Sequence, residues 1–152
     1  MRPRSGFSLL ELIIVLTLLA TLTMIAAPRI SVARERGSMS SARQQLSATL
    51  TSARAAAIQK GRPARLRVKD GVVSVWVLNM EDSVQVVAPT NYSDEYGVSL
   101  SPSRASDTLI TFDPRGFARL ADDAAFRFAR GGLRDSVCLT RLGQLLPTGC
   151  VR

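Results

Sequence analysis

The residues that could do chemistry in this chain are few. Glu11 is a lone carboxylate inside Phe7–Ala27, FSLLELIIVLTLLATLTMIAA, a run of 21 residues that is otherwise almost wholly apolar. Cys138 and Cys150 are the two cysteines, and Asp94-Glu95 and Asp122-Asp123 are adjacent acid pairs. Histidine is absent, which removes the commonest general base and metal ligand together. Two cysteines are too few for a structural zinc site. No glycine-rich phosphate loop follows a strand pattern, no Gly-x-Ser-x-Gly occurs, and adjacent acids on a loop read as solvated charge. The expectation is a protein that is not an enzyme, with no metal and no cofactor.

Glu11 takes its meaning from the element around it. At about 1.5 Å per residue a helix of this length covers roughly 30 Å, the hydrocarbon thickness of a bilayer. A charge at that depth costs about 2.5–3.5 kcal/mol on insertion scales, so an intramembrane acid points to function. A polar leader, Met1-Arg2-Pro3-Arg4-Ser5-Gly6, precedes the run. Ser8-Leu9-Leu10-Glu11 also fits a capping box, with Ser8 as N-cap and Glu11 meeting free amides of the first turn. A secretory signal peptide cut near Ala26 or Ala27 is the competing reading, but its apolar region would be about twice the usual 7–15 residues and would contain an acid.

Gly6-Phe7-Ser8-Leu9-Leu10-Glu11, followed by unbroken Leu, Ile and Val, resembles the class III signal of type IV pilins and type II secretion pseudopilins. The resemblance implies cleavage between Gly6 and Phe7 by a membrane prepilin peptidase, and N-methylation of Phe7 by the same enzyme. It makes Glu11 the fifth mature residue, the acid that pairs with a neighbouring subunit's terminal amine and sets register in assembled filaments. It makes Pro28 the helix-bending proline. The motif covers about the first 30 residues.

Charge is unevenly spread over the 152 residues, whose net value is +8. Residues 1–28 carry +1, residues 29–69 carry +9 and residues 70–152 carry −2. The basic character therefore belongs to the segment that leaves the apolar run. Such a segment suits anionic headgroups, acidic neighbours or nucleic acid, or is simply a solvated helix face. Arg29, Arg34 and Arg36 at the exit of the run outweigh Arg2 and Arg4 at its entry, so the positive-inside rule does not favour a cytoplasmic N-terminus. The leader's resemblance overrides that rule, because its peptidase works from the cytoplasmic side. In an exported head the cysteine pair reads as a disulfide closing a loop of about 13 residues, which contributes on the order of 3 kcal/mol; two buried free thiols are the reading for a cytoplasmic head.

From Pro28 to Lys60 the apolar period changes. Met39, Ala42, Leu46, Leu50, Ala53 and Ala57 recur at steps of three and four, an amphipathic helix that stops at Lys60-Gly61-Arg62-Pro63. Gly37-Ser38-Met39-Ser40-Ser41 is a stretch of weaker helix formers. Beyond Gly61 the alternation predicts strands at 64–68 and 72–78, joined by the Asp70-Gly71 hairpin signal, and at 84–88, 98–100, 108–112, 125–129 and 137–142. Asp113-Pro114-Arg115-Gly116 reads as a type I turn, and residues 89–106 as a loop around one short strand. The expected class is α+β: a long N-terminal helix packed on an antiparallel sheet or β-sandwich head. The expected segments are a leader (1–6), a transmembrane helix half (7–28), an amphipathic half (29–61) and the head (62–152).

Leu109-Ile110-Thr111-Phe112-Asp113-Pro114-Arg115-Gly116-Phe117 resembles the Phe-x-Pro-x-Gly turn of the H-type pseudopilins and related minor pilins, the GspH/FimT family. That resemblance, over residues 108–150, implies a minor pilin-like subunit of a type II secretion or type IV pilus filament, at or near its tip. Its implied partners are the prepilin peptidase/methyltransferase, other pilins or pseudopilins and the inner-membrane assembly platform. The implied location is the bacterial inner membrane, single-pass, with the N-terminus cytoplasmic and the head periplasmic or otherwise extracytoplasmic, and the filament after assembly. Some relatives bind DNA through a C-terminal Gly-Arg-x-Arg motif. The matching place is Gly143-Gln144-Leu145-Leu146, which lacks both arginines and leaves Arg134 and Arg141 as the nearby candidates for phosphate contact. A DNA-binding subunit for natural transformation and an anchored domain that never polymerises are therefore the alternatives, ranked below the filament subunit.

Overall fold

The structure is a computed structural model and describes residues 8–79, 82–146 and 149–150, with the side chains of 25–29 and 107 outside the description. The chain divides into two compact units, residues 1–34 and 35–152, and each is described by itself.

In the first unit Ser8 stands immediately before helix α1, Leu9–Lys60, and its carbonyl accepts the Leu12 amide at 3.1 Å. Glu11 lies in the first turn, where a carboxylate is favoured by the helix dipole. Thr17, Thr21 and Thr23 return their hydroxyl protons to the carbonyls of Ile14, Leu18 and Ala20 at 2.8–2.9 Å. These three polar side chains are thus satisfied inside the helix, the arrangement an apolar surrounding demands. From Leu9 to Met24 the side chains are exposed on every side, with no apolar stripe covered by the unit. The helix runs through Pro28, whose side chain is outside the description. Among the described residues no helix is long and apolar enough to cross a membrane; the expected span Phe7–Ala27 is covered by described side chains only from Ser8 to Met24.

The second unit closes the outer part of α1 against two four-stranded antiparallel sheets. Met39, Ala42, Leu46, Leu50, Ala53 and Ala57 are all buried, as the three-and-four spacing predicts. The helix passes Gly37–Ser41 without interruption, so tertiary packing outweighs the weaker propensities there. Gly61 then takes the left-handed conformation and its amide caps the Ile58 carbonyl at 3.2 Å.

The first sheet has the order β3-β2-β1-β5: β1 is Ala64–Lys69, β2 Val72–Leu78, β3 Ser83–Asn91 and β5 Leu109–Phe112. The second has the order β4-β6-β7-β8: β4 is Ser99–Pro102, β6 Ala124–Arg130, β7 Leu133–Leu139 and β8 Leu145–Leu146. Asp70 and Gly71, both at positive φ, join β1 to β2. Ile110 and Phe112 of the first sheet, Phe126 and Phe128 of the second, and Leu46 and Leu50 of the helix meet in one core.

Several elements differ from the sequence reading. β3 is nine residues long and runs through Pro89, which an edge strand tolerates because no partner needs its missing amide. A short helix, α2 (Tyr92–Tyr96), lies in the expected loop; Asn91 caps it by accepting the Ser93 amide, and Gly97 ends it at φ +62°. The last long strand is 133–139 rather than 137–142. The chain turns back at Thr140–Gly143, where the Gly143 amide donates to the Thr140 carbonyl at 2.9 Å, and Leu145-Leu146 pairs with β7 as a strand of its own.

Candidate assembly and nucleic-acid surfaces

The expected processing residues Gly6 and Phe7 lie outside the described residues. Glu11 is exposed on the first turn of α1, between Leu10 and Leu12, at 68% and 55% exposure. A carboxylate set in an exposed apolar helix can do one thing well: accept a cation brought by another molecule into a dry environment.

Cys138 and Cys150 are joined in a disulfide with their Cα atoms 4.9 Å apart. Cys138 is fully buried on β7, so the bond ties the C-terminal tail back to the end of that strand. Gly149 approaches Ser136 so closely that a Cβ would meet its Oγ at 2.7 Å.

Arg134 and Arg141 are not brought into one site. Arg134 is exposed on β7 opposite Ala129. Arg141 stands in the following turn, held by its amide on Asp123 Oδ1 at 3.2 Å. It lines an open polar depression of about 710 Å³ with Arg104, Arg127, Asp122, Asp123 and Ser136, and Arg134 is not among the lining residues. Arg104 is engaged there, pairing with Asp122 at 3.1 Å and donating to the Asp123 carbonyl at 2.7 Å. The depression sets three arginines against two carboxylates, with Arg104 already paired, and the turn that matches the DNA motif, Gly143 to Leu146, presents glutamine and leucine instead of arginine.

That turn has a structural task. Gly143 is buried at φ +75°, and a Cβ there would meet the Gly116 carbonyl at 2.7 Å. Gly116 at φ +86° closes the Asp113 turn by donating its amide to the Asp113 carbonyl at 2.9 Å, while Asp113 Oδ1 accepts the Arg115 and Phe117 amides, also at 2.9 Å. Arg54 of α1 donates to the Gly143 carbonyl at 3.2 Å. Two glycine turns thereby seat against the helix, next to Arg54 and Ile58. The half-exposed Arg43–Asp135 pair at 3.1 Å ties α1 to β7.

The basic segment 29–69 ends in a strand that displays three of its cations. β1 turns Arg65, Arg67 and Lys69 outward from the first sheet while Ala64, Leu66 and Val68 enter the core. The alternation was legible, but which side chains flank the cations depends on register.

A long N-terminal helix, apolar and exposed at its start and closed against antiparallel sheets further on, defines a pilin-type subunit. A prokaryotic N-terminal methylation motif matches residues 1–27. The model of the type II transport protein GspH matches residues 42–143, and the chain belongs to that family. It is a minor pilin or pseudopilin, and its first residues carry the motif that prepilin processing requires. The fold is that of the type IV minor pilin FimU of Pseudomonas aeruginosa (TM-score 0.60, 18% identity, 74% of this chain and 90% of that one). It is also that of the minor pseudopilin EPSH from the type II secretion system of Vibrio cholerae (TM-score 0.59, 10% identity, 76% and 96%). Among curated proteins none matches the chain in sequence.

Proposed function

We propose that the chain is made as an inner-membrane prepilin, N-terminus in the cytoplasm and head in the periplasm, and is drawn into a short filament at or near its tip. In this reading residues 1–6 are a leader removed between Gly6 and Phe7, and Phe7 is N-methylated. Residues 7–28 lie first in lipid and then in the filament core, 29–61 carry the head (62–152), and the work done is structural, without catalysis. The peptidase/methyltransferase, the assembly platform and other pilin-type subunits are its partners. One observation carries the reading: from Leu9 to Met24 the helix exposes apolar side chains on all sides, with Glu11 among them, inside a methylation motif. Only lipid or other apolar helices can cover such a surface. The basic residues that first follow the run, Arg34 and Arg36, then fall nearest the headgroups.

The test is the mass of the N-terminal peptide from the full chain expressed with its peptidase. The expected product begins with N-methyl-Phe7, and Gly6→Val leaves the leader attached. A mature start after Ala27 refutes the reading in favour of a signal peptide.

A further inference from the structure

The outward face of the first sheet carries a row of cations that no described carboxylate answers. Arg65, Arg67 and Lys69 occupy alternate positions of β1, about 6.6 Å apart, so the row is about 13 Å long. Register places Trp76 and Thr111 on either side of Arg65, Ser74 and Leu109 on either side of Arg67, and Val72 beside Lys69. The four strands of this sheet contain no Asp or Glu. Among the described residues no ion pair or side-chain hydrogen bond engages the three cations. Like charges held at this spacing repel, and a partner that brings carboxylates relieves the repulsion.

The apolar neighbours decide what kind of partner fits. Leu109 is 47% exposed beside Arg67, and Trp76, half-buried, turns its indole N–H to Ser74 Oγ at 3.3 Å. A phosphate backbone would answer the charges and leave Leu109 and Val72 wet. A protein surface answers both, and Trp and Arg are the residue types that dominate protein interfaces. The row is also short for a nucleic-acid track, and the head beyond residue 69 is net negative.

We propose that this face docks an acidic surface of a neighbouring protein subunit in the filament, carboxylates meeting Arg65, Arg67 and Lys69 while an apolar side chain covers Leu109 and Trp76. The inference rests on the filament-subunit reading above. A photo-cross-linking residue at Ser74 of the full-length chain, expressed in membranes with its filament partners, captures what sits on the face, and mass spectrometry identifies the joined peptide. The expected adduct is an Asp- or Glu-bearing segment of another pilin-type subunit. Its yield falls about tenfold in Arg65→Glu/Arg67→Glu/Lys69→Glu, and by less in the corresponding triple Gln variant, because like charge across an interface is repulsive where lost charge is only neutral. Cleavage at Gly6 and the Cys138–Cys150 bond stay intact in both variants, and reversing the partner's carboxylates to Lys restores the adduct to the Glu variant. A yield indifferent to charge in a chain that is cut and incorporated overturns the docking face alone, as does a nuclease-sensitive or lipid adduct. A wild-type chain that is neither cut nor incorporated contradicts the filament reading, and the docking face falls with it.

Discussion

The Tyr92 hydroxyl is wholly buried and, among the described residues, has no hydrogen-bond partner of good geometry. Thr49 lies near it but gives its own hydroxyl proton to the Gln45 carbonyl at 2.9 Å. Burial is the main reason the phenol is held far above its ordinary 10.0, and neighbouring Tyr96 adds to it. The native state therefore keeps a proton that the unfolded chain loses as pH rises past about 10, and stability declines there because the unfolded state binds fewer protons. Tyr92→Phe removes an unanswered polar atom while leaving the ring on Phe128 and Tyr96. The expected result is stability at neutral pH equal to wild type or up to about 2 kcal/mol higher, with a shallower alkaline decline. Denaturant unfolding of the full chain in detergent, followed by Trp76 fluorescence, measures both. A loss of stability at neutral pH would show that Thr49 does answer the hydroxyl.

At the scale of elements, the paired glycine turns are the most constrained feature of the head. Gly143→Ala must accommodate both a left-handed backbone and a Cβ 2.7 Å from the Gly116 carbonyl, which cannot swing aside as a side chain would. The expected cost is about 2–4 kcal/mol, since the strained φ and the displaced turn add together. Gly132→Ala, where a Cβ meets nothing within 4 Å, is the matched control and should be close to neutral. Thermal unfolding of both variants checks the difference, and equal midpoints would contradict it.

The turn at Asp113–Gly116 was legible because proline, glycine and an Asx-capable residue coincide, and the helix stripe was legible because burial follows the 3.6-residue period. Helix α2 was not, since its five residues are polar outside Tyr92 and Tyr96 and give no period. Nor were the sheets' partners: alternation says which side of β1 is wet, but not that β5, more than 40 residues later, returns to pair with it. The basic face follows the same logic, its cations visible in Arg65-x-Arg67-x-Lys69 and its apolar border set only by register.

Across the whole molecule the two units make opposite demands. Residues 35–152 bury a complete core of their own, with the tail fixed by the Cys138–Cys150 bond. The described side chains of residues 8–24 and 30–34 are all exposed, and a carboxylate stands among them. Such a segment is stable only where other apolar matter surrounds it, and an ionised Glu11 is tolerable there only with a cationic partner. Under the proposed function that partner is the terminal amine freed at Phe7 on a neighbouring subunit. Glu11→Val removes the acid from the apolar helix, so membrane insertion should be equal or better, cleavage at Gly6 unchanged and the head still disulfide-bonded. The direct measurement is the fraction of the full chain recovered in sheared filaments beside its partner subunits, Glu11→Val against wild type. A register role for Glu11 predicts a normally processed variant that stays in the membrane and is depleted from filaments at least about tenfold, the loss expected for an unpaired partner left in a dry interface. Glu11→Val recovered in filaments at the wild-type level would contradict it.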